Sequence, residues 1–250
     1  MSLIEQMEAI AWSMNKAGCQ ISSLEGFIAG LRGLPDEERV LYLETIEERV
    51  IYSQWSVSES DLFWTSRSPV LANLPYASQK HLAGVRVSMF QPHLYLAAAM
   101  ANATEWMEHY RTGSSLISLV AKRTGLTQDQ AKWAAYRYLF GERSTPEAFK
   151  IEKAFPWLQQ LTEQFDLVSQ DTEVVTPHGT KLSDSIFPKA GFGRYLSQII
   201  KDVVRTGVIQ VHSEHGEVPA LILQDAVVTS RPEVFIRAWS NSHGLMAVRQ

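Results

Sequence analysis

Residues 220–229 read ALILQDAVVT, an apolar run of strand-forming side chains with one carboxylate, Asp225, in its middle. A single buried strand would have to desolvate that charge, which is costly without a partner. Two short strands meeting at Asp225 avoid the cost, because Asp is favoured in turns and can bond its own backbone there. A tight hairpin is therefore expected, with the carboxylate presented at its tip. Such an acid can hold a divalent ion; a plain turn residue is the competing reading.

The rest of the chain is mainly helical in pattern. Ser2 with Glu5 and Ser22 with Glu25 have capping-box spacing, and Gly18 and Gly33 are placed to end those helices. From Leu34 to Trp55, Pro35 and three acids suit a helix N-terminus. Val40, Leu43, Ile46, Val50 and Ile51 then share one helical face. The stretch from Ser56 to about Gly84 is Ser- and Pro-rich without a helical period, and is expected to be a long ordered loop.

Three helices follow between Pro92 and Gly141, separated at Gly113 and Gly125. A further helical stretch is interrupted at Pro156, and EVVTPHGTKLS turns at His178 and Gly179. GFGRYLSQIIKDVVRTG returns to helix. From Gly207 to about Glu233 the pattern suggests two or three strands with a turn at His215–Gly216, and VFIRAWSN closes as helix or strand. The expected class is α+β, mostly helical with a small antiparallel sheet, organised as a helical N-terminal extension (1–55) and a main body (56–250).

Composition narrows the setting. The 250 residues are 45% hydrophobic, enough for a substantial core, and the net charge of -4 confines any nucleic-acid face to a local patch. A single Cys19 excludes an internal disulfide framework, and the N-terminus lacks the pattern of a secretory signal. LYLAAAMANA is far shorter than the roughly 20 apolar residues needed to cross a bilayer. A soluble, intracellular and cytoplasmic protein is expected.

In TQDQAKWAAYRYLFG, Lys132, Tyr136 and Phe140 fall at i, i+4 and i+8. One cation and two aromatics on a stripe can hold a triphosphate and stack a base. Core packing with a snorkelling lysine is the competing reading. His178, His212 and His215 match no familiar zinc spacing. Gly-x-Gly-x-x-Gly, Walker-type and Gly-x-Ser-x-Gly motifs are absent. Arg194, at the start of a helix, could meet a phosphate.

Taken together, the segments resemble the palm and fingers of family A DNA polymerases, especially the phage-type branch. SESDLFWTSRSPVLANLP is similar to that family's Ser-rich stretch through Pro69, Leu71, Asn73, Leu74 and Pro75. RVSMFQPHLYLAAAMA stands at the first catalytic motif, and QDQAKWAAYRYLFG resembles the fingers helix through Ala131, Lys132, Tyr136, Leu139 and Gly141. LILQDAVVT stands at the His-Asp-Glu hairpin. The order is collinear from about Ser56 to Pro232.

The departures fall on the chemistry. Ser88 stands where the family has a metal-binding Asp, and His93 and Tyr95 where it has Glu and Arg. Gln128 replaces a triphosphate-contacting Arg; Gln224 and Ala226 flank Asp225 in place of His and Glu. No Asp or Glu lies between Asp61 and Glu105. Two-metal transfer needs facing carboxylates around ions roughly 3.5 to 4 Å apart, so weak or absent polymerase activity is expected.

The resemblance implies a degenerate polymerase-like unit that binds primer-template DNA. Gln128, Lys132, Tyr136 and Phe140 would bind nucleotide, and Arg67, Asn73, Arg137, Arg194, Gln198 and Lys201 would bind DNA. Asp225 would be a residual catalytic acid or Mg²⁺ ligand. A partner chain would supply an exonuclease domain, a thumb or the missing acid. An enzyme using the nucleotide pocket for another reaction, and a helical interaction protein that binds no nucleic acid, are the alternatives.

Overall fold

The structure is a computed structural model that describes residues 1–171, 173–182, 191–243 and 245–249. Ser2 and Glu5 form the expected reciprocal capping box at the start of α1 (Leu3–Ala17), and Gly18, at φ 60°, ends the helix. After β1 (Cys19–Gln20), α2 (Leu24–Gly30) is capped by Ser23 rather than Ser22. The helix begun at Pro35 is shorter than its pattern suggests, since α3 (Asp36–Glu44) stops where Thr45 Oγ1 bonds the carbonyls of Leu41 and Tyr42. Tyr42 is its buried residue, whereas Val40 and Leu43 are exposed.

Ile46–Glu47 (β2) and Val50–Ile51 (β3) then form a hairpin across Glu48 and Arg49, both at positive φ, with β3 also pairing to β1. The segment read as a loop is instead a five-pair hairpin, β4 (Gln54–Ser58) with β5 (Phe63–Arg67), followed by a 3-10 turn at Leu71–Asn73 and α4 (Tyr76–Gln79). Trp64 anchors it, its indole N–H donating to the Met7 carbonyl at 2.9 Å. β6 (Val85–Met89) follows.

The middle of the chain is helical: α5 (Pro92–Met100), α6 (Thr104–Arg111), α7 (Leu116–Thr124), α8 (Gln128–Leu139), α9 (Pro146–Ala154) and α10 (Pro156–Asp171). The expected helix from Pro92 to Gly113 is two, parted at Asn102, which has φ 52°. Pro156 breaks the chain between α9 and α10 as expected. At Gln91, φ 46° turns the backbone into α5. The Gln91 side chain caps α7, accepting from the amides of Leu116 and Ile117 and donating to Ser115 Oγ. Val175 bridges Lys181 around the turn at His178–Gly179; Ser183, the end of that expected hairpin, lies outside the described residues.

The long α11 (Gly191–His215) corrects the expectation of a strand after Gly207. β7 (Leu221–Ile222), β8 (Ala226–Thr229), α12 (Pro232–His243) and β9 (Ala247–Arg249) complete the chain. The antiparallel order is β7-β8-β6-β9, with α12 packed on β6 and β9. Val87, Val227, Phe235 and Trp239 are buried.

Two compact units emerge, Met1–Met89 with Lys201–Gln250, and Phe90–Ile200. The first 55 residues lie within the first unit. Among the described residues no helix is long and apolar enough to cross a membrane.

Candidate nucleic-acid interface

In the first unit the β7–β8 hairpin turns as its sequence requires. The Leu223 amide donates to the Ala226 carbonyl at 2.8 Å, leaving Gln224 and Asp225 at the tip. β6 lies alongside, with Ser88 paired to Ala226 and the Met89 amide donating to the Asp225 carbonyl at 2.9 Å. Burial raises the Asp225 pKa above the ordinary carboxylate value, against the opposing pull of Arg86 and of its own backbone.

Arg86 was not singled out by the sequence, although its place two residues before Ser88 puts both on one face of β6. Its guanidinium donates to Gln79 Oε1 at 2.5 Å and lies 5.2 Å from the Tyr76 ring centroid.

These residues do not fit the two-metal site that the sequence resemblance implies. Next to the acid, opposite Ala226, stands the Ser88 hydroxyl, buried with no hydrogen-bond partner among the described residues. The charge nearest in effect to Asp225 is the cation of Arg86, which opposes a second cation. Among the described residues no group of three His, Cys, Asp or Glu could hold an ion. His178, His212 and His215 form no such group, and His215 instead approaches Glu214 at 3.8 Å.

In the second unit, the Thr127–Gln130 capping box starts α8 as a helix and fixes the phase of its stripe. Lys132 is exposed, and Tyr136 and Phe140 are half-buried. His93 joins them, its ring centroid 5.5 Å from Tyr136 and 5.8 Å from Phe140, with Nε2 2.9 Å from Ser197 Oγ. Burial lowers the His93 pKa to about 4, so the ring is neutral near pH 7. Gly193 lets α11 approach: a Cβ there would lie 2.7 Å from the Phe140 ring. Gln128 is tied to Ser118 Oγ at 3.1 Å. Ser197 and Gly193 carried no signal in the sequence because their partners lie far along the chain.

The expected DNA contacts are not equally available. Arg67 and Asn73 are exposed and line one depression of about 470 Å³, which also carries Glu38. Arg194 is exposed. Lys201 instead faces Asp61 at 3.5 Å, and Arg137 pairs with Glu142 at 2.5 Å. Gln198 is buried, which leaves it little surface to offer a duplex.

No family model and no curated protein sequence matches this chain. A solved structure described as the POL domain of Pol1 from M. smegmatis in complex with DNA primer-template and dNTP is similar, with a TM-score of 0.67 at 16% identity. The match covers 84% of this chain and 49% of that one, so this chain spans about half the length of the structure it resembles. The α+β architecture is thus that of a DNA-polymerase-like fold.

Proposed function

We propose that this protein is a family A-like, phage-type polymerase unit that binds primer-template DNA and is impaired in nucleotidyl transfer. The observation that carries the reading is the hairpin. A fold like that of a polymerase domain solved with primer-template and dNTP keeps one acid, Asp225, at the tip where β6 and β8 meet. Ser88 and Ala226 beside it supply no charge to gather metal ions. Binding then outlives turnover, because phosphate contacts need cations on the protein whereas transfer needs facing carboxylates.

The exposed Lys132 beside Tyr136 and Phe140 supports a nucleotide pocket on α8, with Arg67, Asn73 and Arg194 as the accessible candidates for duplex contacts. That same stripe favours a second reading, in which the pocket serves another reaction on a nucleotide.

Fluorescence anisotropy of a labelled primer-template, measured against salt with and without Mg²⁺ and a nucleotide, tests both. Duplex binding is expected to fall with salt, Arg194→Ala should reduce the slope by about one phosphate contact, and Lys132→Ala should weaken nucleotide binding. Added Mg²⁺ should not tighten it. Nucleotide binding without duplex binding would replace the first reading by the second, and no binding of either at low salt would overturn both.

A further inference from the structure

Two strongly exposed tryptophans of this chain are treated differently. Trp12, 60% exposed, carries the ammonium of Lys16 3.6 Å above its ring centroid. Trp133 is 67% exposed, and among the described residues no Lys or Arg lies over its ring. It lines a groove of about 370 Å³ on the second unit, together with Asp129, Ala134 and Arg137 from α8 and Thr145 and Glu147 from the start of α9.

Asp129, Trp133 and Arg137 are spaced i, i+4 and i+8, so they form one stripe of α8. It lies about a quarter turn from the stripe of Lys132 and Tyr136. The α9 side is extended one turn beyond Thr145 by Phe149, itself 60% exposed.

Charge decides what this surface accepts. Arg137 is already neutralised by Glu142. Asp129 and Glu147 make no ion pair or side-chain hydrogen bond among the described residues. Two uncompensated carboxylates therefore frame an indole whose face is itself electron-rich. Each acid sits in the first turn of a helix, where the dipole favours it. That explains why the acids are tolerated, but not why the tryptophan between them is bare. Nucleic acid and anionic lipid are both repelled by such a frame, whereas a guanidinium or ammonium is attracted by every part of it.

We propose that this groove docks a basic segment of a partner protein, with an Arg or Lys side chain lying across Trp133 between Asp129 and Glu147 and a neighbouring apolar side chain against Ala134. The chain's own Lys16–Trp12 stack shows the geometry of that contact. The site stands apart from any DNA contact at Lys132.

The test is anisotropy of a fluorescein-labelled Arg-Leu-Arg-Leu-Arg-Leu-Arg peptide titrated with the full chain at 25 and 150 mM salt. Trp133→Ala should weaken binding roughly 3- to 30-fold, the range of a cation over an exposed to a desolvated ring. Asp129→Asn with Glu147→Gln should weaken it at low salt and flatten its salt dependence. Trp12→Ala, Lys132→Ala and the equal charge change Glu37→Gln with Glu44→Gln should leave it unchanged. The substituted residues are exposed apart from Glu147, which is partly exposed, and none is buried, so the fold survives them.

Equal binding by wild type and groove variants would overturn the proposal, as would no binding at 25 mM salt. So would loss of affinity for a labelled oligo-dT in Trp133→Ala in place of the peptide, which would make the groove a base-stacking platform. Sedimentation showing self-association abolished by Trp133→Ala would overturn it in favour of a second copy of this chain.

Discussion

Ser88 faces Ala226 across the β6–β8 pair, one residue from Asp225, and neither side chain bears a charge. Within this strand pair the hairpin therefore presents the acid beside uncharged neighbours. Burial raises the Asp225 pKa, so the folded chain binds a proton there more readily than the unfolded one; the resulting stabilisation is full below the unfolded carboxylate value and is lost as pH rises through the higher folded one. Asp225→Asn should stabilise the protein at pH 7. The gain should vanish when denaturation is repeated at pH 3.5. A loss of stability at pH 7 would show instead that Arg86 depends on the carboxylate.

His93 has the opposite pH signature to a paired histidine. Its folded pKa lies near 4, below the ordinary value of 6.5, because burial beside Tyr136, Phe140 and the Ser197 hydroxyl disfavours the charged ring. Its contribution is complete above the unfolded value and is lost as pH falls from 6.5 towards 4, by on the order of 3 kcal/mol. Urea denaturation at pH 7.5 and pH 4.5 should show a smaller stability difference in His93→Gln than in wild type.

Inside α11, Asp202 and Arg205 form an ion pair at 3.0 Å with side chains 0% and 3% exposed, and Arg205 also donates to the Leu62 carbonyl at 2.9 Å. Burial pulls the arginine's pKa down while Asp202 holds it up. Asp202→Ala should cost about 3–5 kcal/mol, because it leaves a buried guanidinium without its counter-charge. Asp202→Leu with Arg205→Met should recover most of that loss in the same denaturation assay.

Glycine within a helix is ordinarily replaced by alanine with a gain of about 1 kcal/mol. Gly207 in α11 should behave otherwise, since an added Cβ would collide with the indole of Trp239, meeting its Nε1 and Cδ1. Gly207→Ala is expected to destabilise by about 1–3 kcal/mol through overpacking. A lower urea midpoint, with a shift in tryptophan emission, checks it.

That glycine also explains one misreading of the sequence. Gly207 followed by the β-branched residues Val208, Ile209 and Val211 has the pattern of a helix stop and then a strand. Trp239, distant in sequence, decides otherwise by requiring a small residue inside the helix. The helix α8 was legible because its signals are local: the Thr127–Gln130 box and a clean i, i+4, i+8 stripe. The β2–β3 turn was not, because Glu48 and Arg49 adopt positive φ without the Asn or Gly that announces such turns. Ser-rich alternation also hid the β4–β5 hairpin, whose inward Trp64 is held by a carbonyl of α1. Asp225 at a hairpin tip was readable from the run that surrounds it. Arg86 and Ser197 were not, since each gains its place only when separate segments meet.

The first amides of a helix have no acceptor within it and ordinarily exchange with solvent at once. In α7, the amides of Leu116 and Ile117 are held by the carboxamide oxygen of Gln91, 25 and 26 residues upstream. Deuterium uptake at those two amides is thus a clock for the left-handed turn at Gln91. The start of α7 cannot fray while that turn is intact, so two distant points of the chain open as one event.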